Sequence, residues 1–304
     1  MAFRYDLAKF IPFRDLGACE RVRQIRRENL CEHPEPTFRI RLVDDPMQFY
    51  NEFAVDIVQR IRAASEENRP FVGIFPVGPM PQYALAAEMI NRFRISMRHV
   101  YTFNMDEYAD QDGNTAPEDW PGSFQRAMME NFFLKIHPDL RPPLSQIHFP
   151  TRAVIDRYSA MIAEAGGAEV CYGGIGWCGH IAFWEAHLGA NYSTMEEYRA
   201  ARAQCVELHP MTIMQNALHS FGGDWSWVPP KANTIGPADI LSARHRSFWL
   251  DGDLGGGVSW QRFIARLVAH GPVNQLVPGS ILQTVPTDYT ILGSVADNVE
   301  VHMA

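Results

Sequence analysis

The feature that most constrains this chain is an alternation of short apolar runs with amphipathic segments that begins at Phe38. "FRIRLV" is strand-like, and "DPMQFYNEFAVDIVQRIRAA" spaces its apolar residues as a helix does, with Asp45 placed to cap it and Pro46 at its first position. "FVGIF" precedes the helical "PMPQYALAAEMINRF", and "HVYTF" leads through a long loop to "SFQRAMMENFF". The pattern returns in "IHF" with "RYSAMIAEA" and in "AEVCYGG". After a long polar and aromatic stretch it resumes in "HRSFWL", "WQRFIARLVAH" and "YTILG". Strands separated by helices of this length join through right-handed crossovers. The expected fold is therefore α/β and Rossmann-like, a doubly wound, mostly parallel sheet with helices on both faces.

With 304 residues, 46% of them hydrophobic, the chain has ample material for one large core or two small ones. Residues 1–36 stand apart, mixing charge with aromatics and ending in the proline-bearing linker "EHPEP". The expected division is an N-terminal extension, 1–36, packed on the main domain or on a neighbouring subunit, and an α/β domain, 37–304. No stretch approaches the roughly 20 apolar residues that span a bilayer, and "MAFRYDLAKFIPFRD" is too charged for a signal-peptide core. A cytoplasmic protein with no membrane partner is expected.

The five cysteines, Cys19, Cys31, Cys171, Cys178 and Cys205, are scattered and contain no C-x-x-C pair, which suggests neither a disulfide framework nor a structural zinc site. A net charge of −8 argues against a nucleic-acid partner. The basic run "RVRQIRREN" at 21–29 fits the solvated face of an N-terminal helix.

Ligands of such a sheet bind outside the carboxyl ends of its strands. Three polar loops fall there: "PVGPMP" (76–81), "NMDEYADQDGN" (104–114) and "GGIGWCGHIAFWE" (173–185). Asp106 and Glu107 end an apolar strand; a partly desolvated carboxylate there suits a general base, or one of the pair caps a turn while the other is solvated. His180 and Glu185, five residues apart, suit proton transfer to a sugar or carbonyl oxygen, or a structural pairing. Cys178, His180, Glu185 and His187 are all zinc-ligand types, but their spacing fits no standard zinc pattern. The glycines of "GGIGWCGH" follow the wrong strand for a dinucleotide fingerprint and no acidic ribose ligand succeeds them, so no nicotinamide cofactor is expected, nor any other.

Together these loops resemble the glucosamine-6-phosphate deaminase/isomerase family, whose fold also includes the 6-phosphogluconolactonases. "TFNMDEY" (102–108) matches the first deaminase motif residue for residue, and "GHIAF" (179–183) with Glu185 matches the second, G-x-G-x-D-G-H-I-A-F-N-E-P. Weaker echoes are "SF…ENFF" (123–133), "VP" with "TIG" (228–236) and "GPVNQLVPGSILQ" (271–283), so the similarity runs over roughly 38–295.

The resemblance implies that Asp106 moves a proton between C2 and C1 of an open-chain amino sugar, with Glu107 beside it. His180 would assist ring opening and Glu185 would orient it. The implied reaction is an aldose–ketose isomerisation followed by loss of ammonia, on a small sugar or sugar phosphate. Gly78, Pro79, Met80, Gly176, Cys178, Gly179 and Gln261 occupy the substrate-binding positions. Many relatives are oligomers, and the N-terminal extension is a candidate interface.

The chain departs from the family pattern at several points. Cys178 replaces the Asp of D-G-H, and Trp184-Glu185-Ala186 replaces N-E-P. Val77-Gly78-Pro79-Met80-Pro81 stands where the family has T-G-G-T-P, so the loop loses an N–H donor at Pro79 and a hydroxyl at Met80. The family's phosphate-binding Lys falls on Gln261, next to Arg262, and the Arg expected before "VP" has no counterpart in "NALHSFGGDWSWVPP". An ordinary hexosamine 6-phosphate is therefore a poor fit. Trp177, Trp184, Trp225 and Trp227 suit stacking on an uncharged ring, or ordinary packing. The alternatives are a non-catalytic sugar-binding or regulatory protein on the same scaffold, a lactonase-like hydrolase, and a zinc hydrolase using Cys178 and His180.

Overall fold

The structure is a computed structural model that describes residues 5–301. Ten strands follow in chain order: β1 (Phe38–Val43), β2 (Phe71–Phe75), β3 (Val100–Asn104), β4 (Asp106–Ala109), β5 (Ile147–His148), β6 (Val170–Gly173), β7 (Gln204–Glu207), β8 (Lys231–Thr234), β9 (His245–Leu250) and β10 (Thr287–Leu292). Seven of them form one sheet, in the order β1-β10-β9-β6-β2-β3-β5, and every pairing in it is parallel. This is the α/β architecture expected from the alternation.

The strand order fixes where the helices lie. The crossovers β1→β2 and β2→β3 run toward one edge of the sheet, while β6→β9 and β9→β10 run toward the other. Right-handed crossovers running in opposite directions put their helices on opposite faces. Pro46–Glu66 and Met80–Phe93 accordingly pack on each other, while Arg262–His270 packs with Leu16–Arg23. Because β2 and β6 are neighbours whose connections leave in opposite directions, a crevice opens between their carboxyl ends, the usual ligand position in such sheets.

The longest helix starts as its sequence dictates: the Asp45 side chain accepts from Gln48 N–H at 2.7 Å and Pro46 occupies the first helical position. Phe49, Phe53, Ile57 and Ile61, each four residues from the last, are buried on one face. Within the N-terminal segment, Ala18, Cys19 and Val22 are buried, and Arg266 and His270 bond to the carbonyls of Ile25 and Leu30. The basic run is only partly a solvated helical face: its helix ends at Arg23, and Arg27 is tied to Asp44, Asp297 and the Gly293 carbonyl.

A second sheet, β4-β8-β7, is antiparallel, where the polar sequence after β3 reads as a loop. One residue separates β3 from β4. Met105 N–H still bonds to Phe75 of the large sheet while its carbonyl accepts from Ile235, the residue just past β8, so Met105 is the corner at which the chain passes between sheets. The first residue past that corner is Asp106, registered opposite Thr234.

Candidate active site

A cleft of about 420 Å³ lies at the crevice, a size suited to a small polar ligand. Pro76–Pro79 after β2, Met105–Asp106 after β3, Gly174–Gly176 and His180 after β6, and Asp251–Asp253 after β9 border it. The two motifs read from the sequence thus converge, although 74 residues of sequence separate Asp106 from His180.

The β3–β4 corner holds Asp106 almost entirely buried at the cleft wall. Desolvation, reinforced by the charge of Glu107, pushes its carboxyl up to about 8. Strand alternation sends Glu107 the other way. Its oxygens accept from Tyr108 N–H, Ser123 Oγ, Phe124 N–H and Gln125 N–H at 2.7–3.1 Å. Three of those donors are the cap and first turn of Phe124–Asn131, where a carboxylate is favoured by the helix dipole. The adjacent acids divide the work: Glu107 anchors the corner to a helix and does not border the cleft, which corrects its expected place beside Asp106 in the chemistry.

His180 borders the cleft with one edge and enters a buried cluster with the other. Its Nδ1 lies 2.9 Å from Thr212 Oγ1, 3.3 Å from Cys178 Sγ and 3.4 Å from Glu185 Oε2. The Thr212 hydroxyl donates to Glu185 Oε2 at 2.9 Å, and the Cys178 thiol donates to the same oxygen at 3.1 Å. With its single proton given to Glu185, Thr212 accepts from Nδ1–H, so Nε2 carries the lone pair on the cleft side. Glu185 Oε1 takes the His209 N–H at 3.2 Å. Burial alone would raise Glu185, yet His180, Cys178 and Thr212 together hold it below the usual carboxylate range. Burial and the nearby Glu185 charge push Cys178 well up, so it is a neutral thiol that donates a hydrogen bond.

Two glycines make this arrangement possible. A Cβ on Gly176 would lie 2.0 Å from Nε2 of His180, so only glycine lets the loop pass against the ring. Gly179 has φ +84°, a left-handed conformation that other residues rarely adopt. Next to His180 the chain turns sharply, with Ala182 at φ 53° and Trp184 N–H bonded back to the Ile181 carbonyl.

The proposed substrate contacts separate on inspection. Gly78, Pro79 and Gly176 border the cleft. Cys178 and Gly179 lie behind His180 and do not border it, and Met80 faces an adjoining apolar cavity instead. Gln261 borders the cleft with its amide already committed, Oε1 accepting from Gly252 N–H and Nε2 donating to the Ile175 carbonyl, so it laces two loops together. Arg262 turns away to Ser294, Gly257 and Asp297.

The aromatics need a similar correction. Trp184 is fully buried among Tyr192 and Tyr198, Trp225 is exposed, and Trp227 faces the adjoining cavity with Trp120 and Phe221. The indoles at the cleft are Trp249, stacked on Phe53, and Trp260. Thr212 and Asp251 also belong to the site, and no sequence motif marks either. A threonine 27 residues beyond Glu185 carries no local signal, and an aspartate after a strand is ordinary turn chemistry.

As for metals, ligand atoms of Cys178, His180 and Glu185 lie within 4.8 Å of one another and could close on a soft divalent ion. The hydrogen bonds just described already satisfy those atoms. His187, the fourth candidate, instead stacks on His209 at 5.5 Å. No helix among the described residues is long and apolar enough to cross a membrane.

No protein-family model matches the chain. It is 36% identical over 202 residues to a glucosamine-6-phosphate deaminase from Caenorhabditis elegans, covering 64% of this chain and 68% of that protein. It is 31% identical over 236 residues to one from Mannheimia succiniciproducens, covering 76% of this chain and 80% of that protein. Among solved structures, a monomeric glucosamine-6-phosphate deaminase superposes with a TM-score of 0.71 at 22% identity, over 84% of this chain and 98% of that one. At that identity the superposition speaks for the fold alone.

Proposed function

Because the chain belongs to the glucosamine-6-phosphate deaminase family, we propose that it converts a 2-amino-2-deoxy aldose to the corresponding ketose with release of ammonia. The observation that carries this reading is the meeting, in one cleft, of a buried carboxyl raised to about 8 with a histidine whose tautomer is fixed from behind. His180 Nε2 accepts the proton of the anomeric hydroxyl as the ring opens and delivers it to the ring oxygen. Asp106, when ionised, removes the proton from C2 of the open-chain aldehyde and returns it to C1. With a proton passing from the amino group to O1, that leaves an imine at C2, which water hydrolyses to a ketone and ammonia. Glu185 and Thr212 touch no substrate in this scheme; they are positioning residues that hold the imidazole and offset the charge it gains.

Cys178 is compatible with this scheme. The carboxylate the family places there is missing, but Glu185 and Thr212 keep the proton of His180 on Nδ1 without it. The test is ammonia release from amino sugars, with and without a phosphate, by the wild-type protein and by Asp106→Asn. Release that requires Asp106 supports the reading; a panel with no Asp106-dependent release sinks it.

A further inference from the structure

We propose that the part of the cleft bounded by Asp251, Asp253 and Gln82 is an acidic subsite for the far end of the sugar. It would take a hydrogen-bond-donating group, a hydroxyl or an ammonium, and it would turn a phosphate away. The inference rests on the reading of the cleft as an amino-sugar site and names the substrate class within it.

The first observation is charge. No Lys or Arg among the described residues borders the cleft, whereas Asp106, Asp251 and Asp253 do. A dianion placed there would meet carboxylates without a cationic partner, in a crevice where charge is poorly screened.

The second is the helix N-terminus that would otherwise hold an anion. Met80–Phe93 is preceded at its cap by Pro79, which has no N–H, and the N–H of Met80 is turned back onto the Gly78 carbonyl at 2.7 Å. At the first turn the chain supplies an anion of its own. Asp251 Oδ2 lies 3.4 Å from Gln82 Nε2, brought there from the end of β9.

The third is an unmet hydrogen-bonding demand. Gln82 is 1% exposed and borders the cleft, and its Oε1 has no partner. A buried amide oxygen without a donor carries a free-energy cost that a ligand N–H or O–H removes. Asp251 is open to the cleft but hemmed in by protein, and desolvation lifts its carboxyl to about 6. It is therefore mostly ionised near neutral pH and, like Gln82 Oε1, accepts. Gln261 is tied up between loops and Arg262 points away, so neither neutralises the pair.

Along the sheet edge Asp251 follows β9 and Asp106 follows β3, with β6 and β2 between them. The subsite is thus displaced from the reacting carbons, where the remote end of an extended sugar chain would lie.

The experiment compares three probes that differ only at C6: glucosamine, 2,6-diamino-2,6-dideoxyglucose and glucosamine 6-phosphate. Ammonia release gives kcat/KM for each, and calorimetry on Asp106→Asn gives binding. The expected result is a preference of at least 30-fold for the hydroxyl or ammonium probe over the phosphate. The isosteric Asp251→Asn should raise KM for the favoured probe about tenfold or more, with little change in kcat. A larger loss for the diamino sugar than for glucosamine identifies ammonium as the group recognised, and equal losses identify hydroxyl. Asp106-dependent turnover of the phosphate probe at equal or greater efficiency overturns the subsite while leaving the proposed function standing. No release and no binding with any probe overturns the function and the subsite together.

Discussion

The loop after β6 and the loops after β2 and β9 border the same cleft, yet they have diverged from the family pattern in different ways. Behind His180 Cys178 stands where the family pattern has a carboxylate, but the positioning of the ring is kept, because Glu185 and Thr212 hold Nδ1 and the thiol donates to Glu185. At the ends of β2 and β9 the change is one of sign. Pro79 and Met80 remove donors from the helix start, a glutamine replaces a lysine and is spent on lacing loops, and Asp251 brings a negative charge to the first helical turn. The rigid sheet positions both regions, while each loop alters its own chemistry independently of the other. Proton-transfer machinery can therefore persist while recognition of the substrate's far end changes.

The strongest way to break this comparison is at the conserved centre. Asp106→Asn is expected to lower kcat by a factor of about 10³ or more, in line with the usual worth of a general base, while calorimetry still detects sugar binding. Wild-type kcat/KM should rise with pH through about 8, as Asp106 ionises, and then level off. A profile flat from 6 to 9 would remove Asp106 from the role of base.

The large sheet was legible because a central strand such as Phe71–Phe75 is a compact apolar run followed by a helical repeat, the pattern a strand covered on both faces must have. The second sheet was not. β7 and β8 are the four-residue "QCVE" and "KANT", too short and polar to carry a period, and β4 follows β3 after a single residue, so two strands look like one strand with a polar tail. Within the site, Asp106, His180 and Glu185 were legible from local motifs. Thr212 was not, because it is brought to Glu185 only by the packing of the helix Pro210–Ser220. The roles of Glu107 and Gln261 were also hidden, since each depends on which backbone N–H groups face the side chain, something spacing alone does not encode.

Thr212→Val sharpens the contrast at the next level of effect. The change removes the hydroxyl between Nδ1 and Glu185 while keeping the shape, and a hydrogen bond to a charged group is worth about 1.5–3 kcal/mol. The expected loss is roughly 10- to 100-fold in kcat with KM little altered, restored largely by Thr212→Ser. An equal fall in kcat/KM that arises wholly from KM would place Thr212 in binding and break the positioning argument.

Stability offers a smaller signal with a definite sign. A carboxyl raised from its unfolded value to about 8 favours folding less and less as pH rises from about 4 to 8, because the folded protein holds a proton that the unfolded chain releases. Asp106→Asn should therefore melt a few degrees higher than wild type at pH 8.5 and at nearly the same temperature at pH 4.5. Thermal melts at the two pH values read this directly, and a gain that is the same at both would mean that Asp106 is not held protonated by burial.

The smallest expected effect belongs to the residue that first set the two regions apart. If Cys178 serves only as a neutral donor to Glu185, Cys178→Ser supplies the same proton from a smaller atom, and kcat/KM should stay within about threefold of wild type. Activity should be equally indifferent to prolonged chelation. A thiolate bound to a metal with His180 and Glu185 would behave otherwise, because a serine hydroxyl is a far poorer ligand for a soft divalent ion. A loss beyond tenfold in Cys178→Ser, together with stoichiometric zinc in the wild-type protein and inactivation by chelator, would replace the hydrogen-bonded cluster by a metal centre. The region behind His180 would then have changed its chemistry as thoroughly as the loops after β2 and β9.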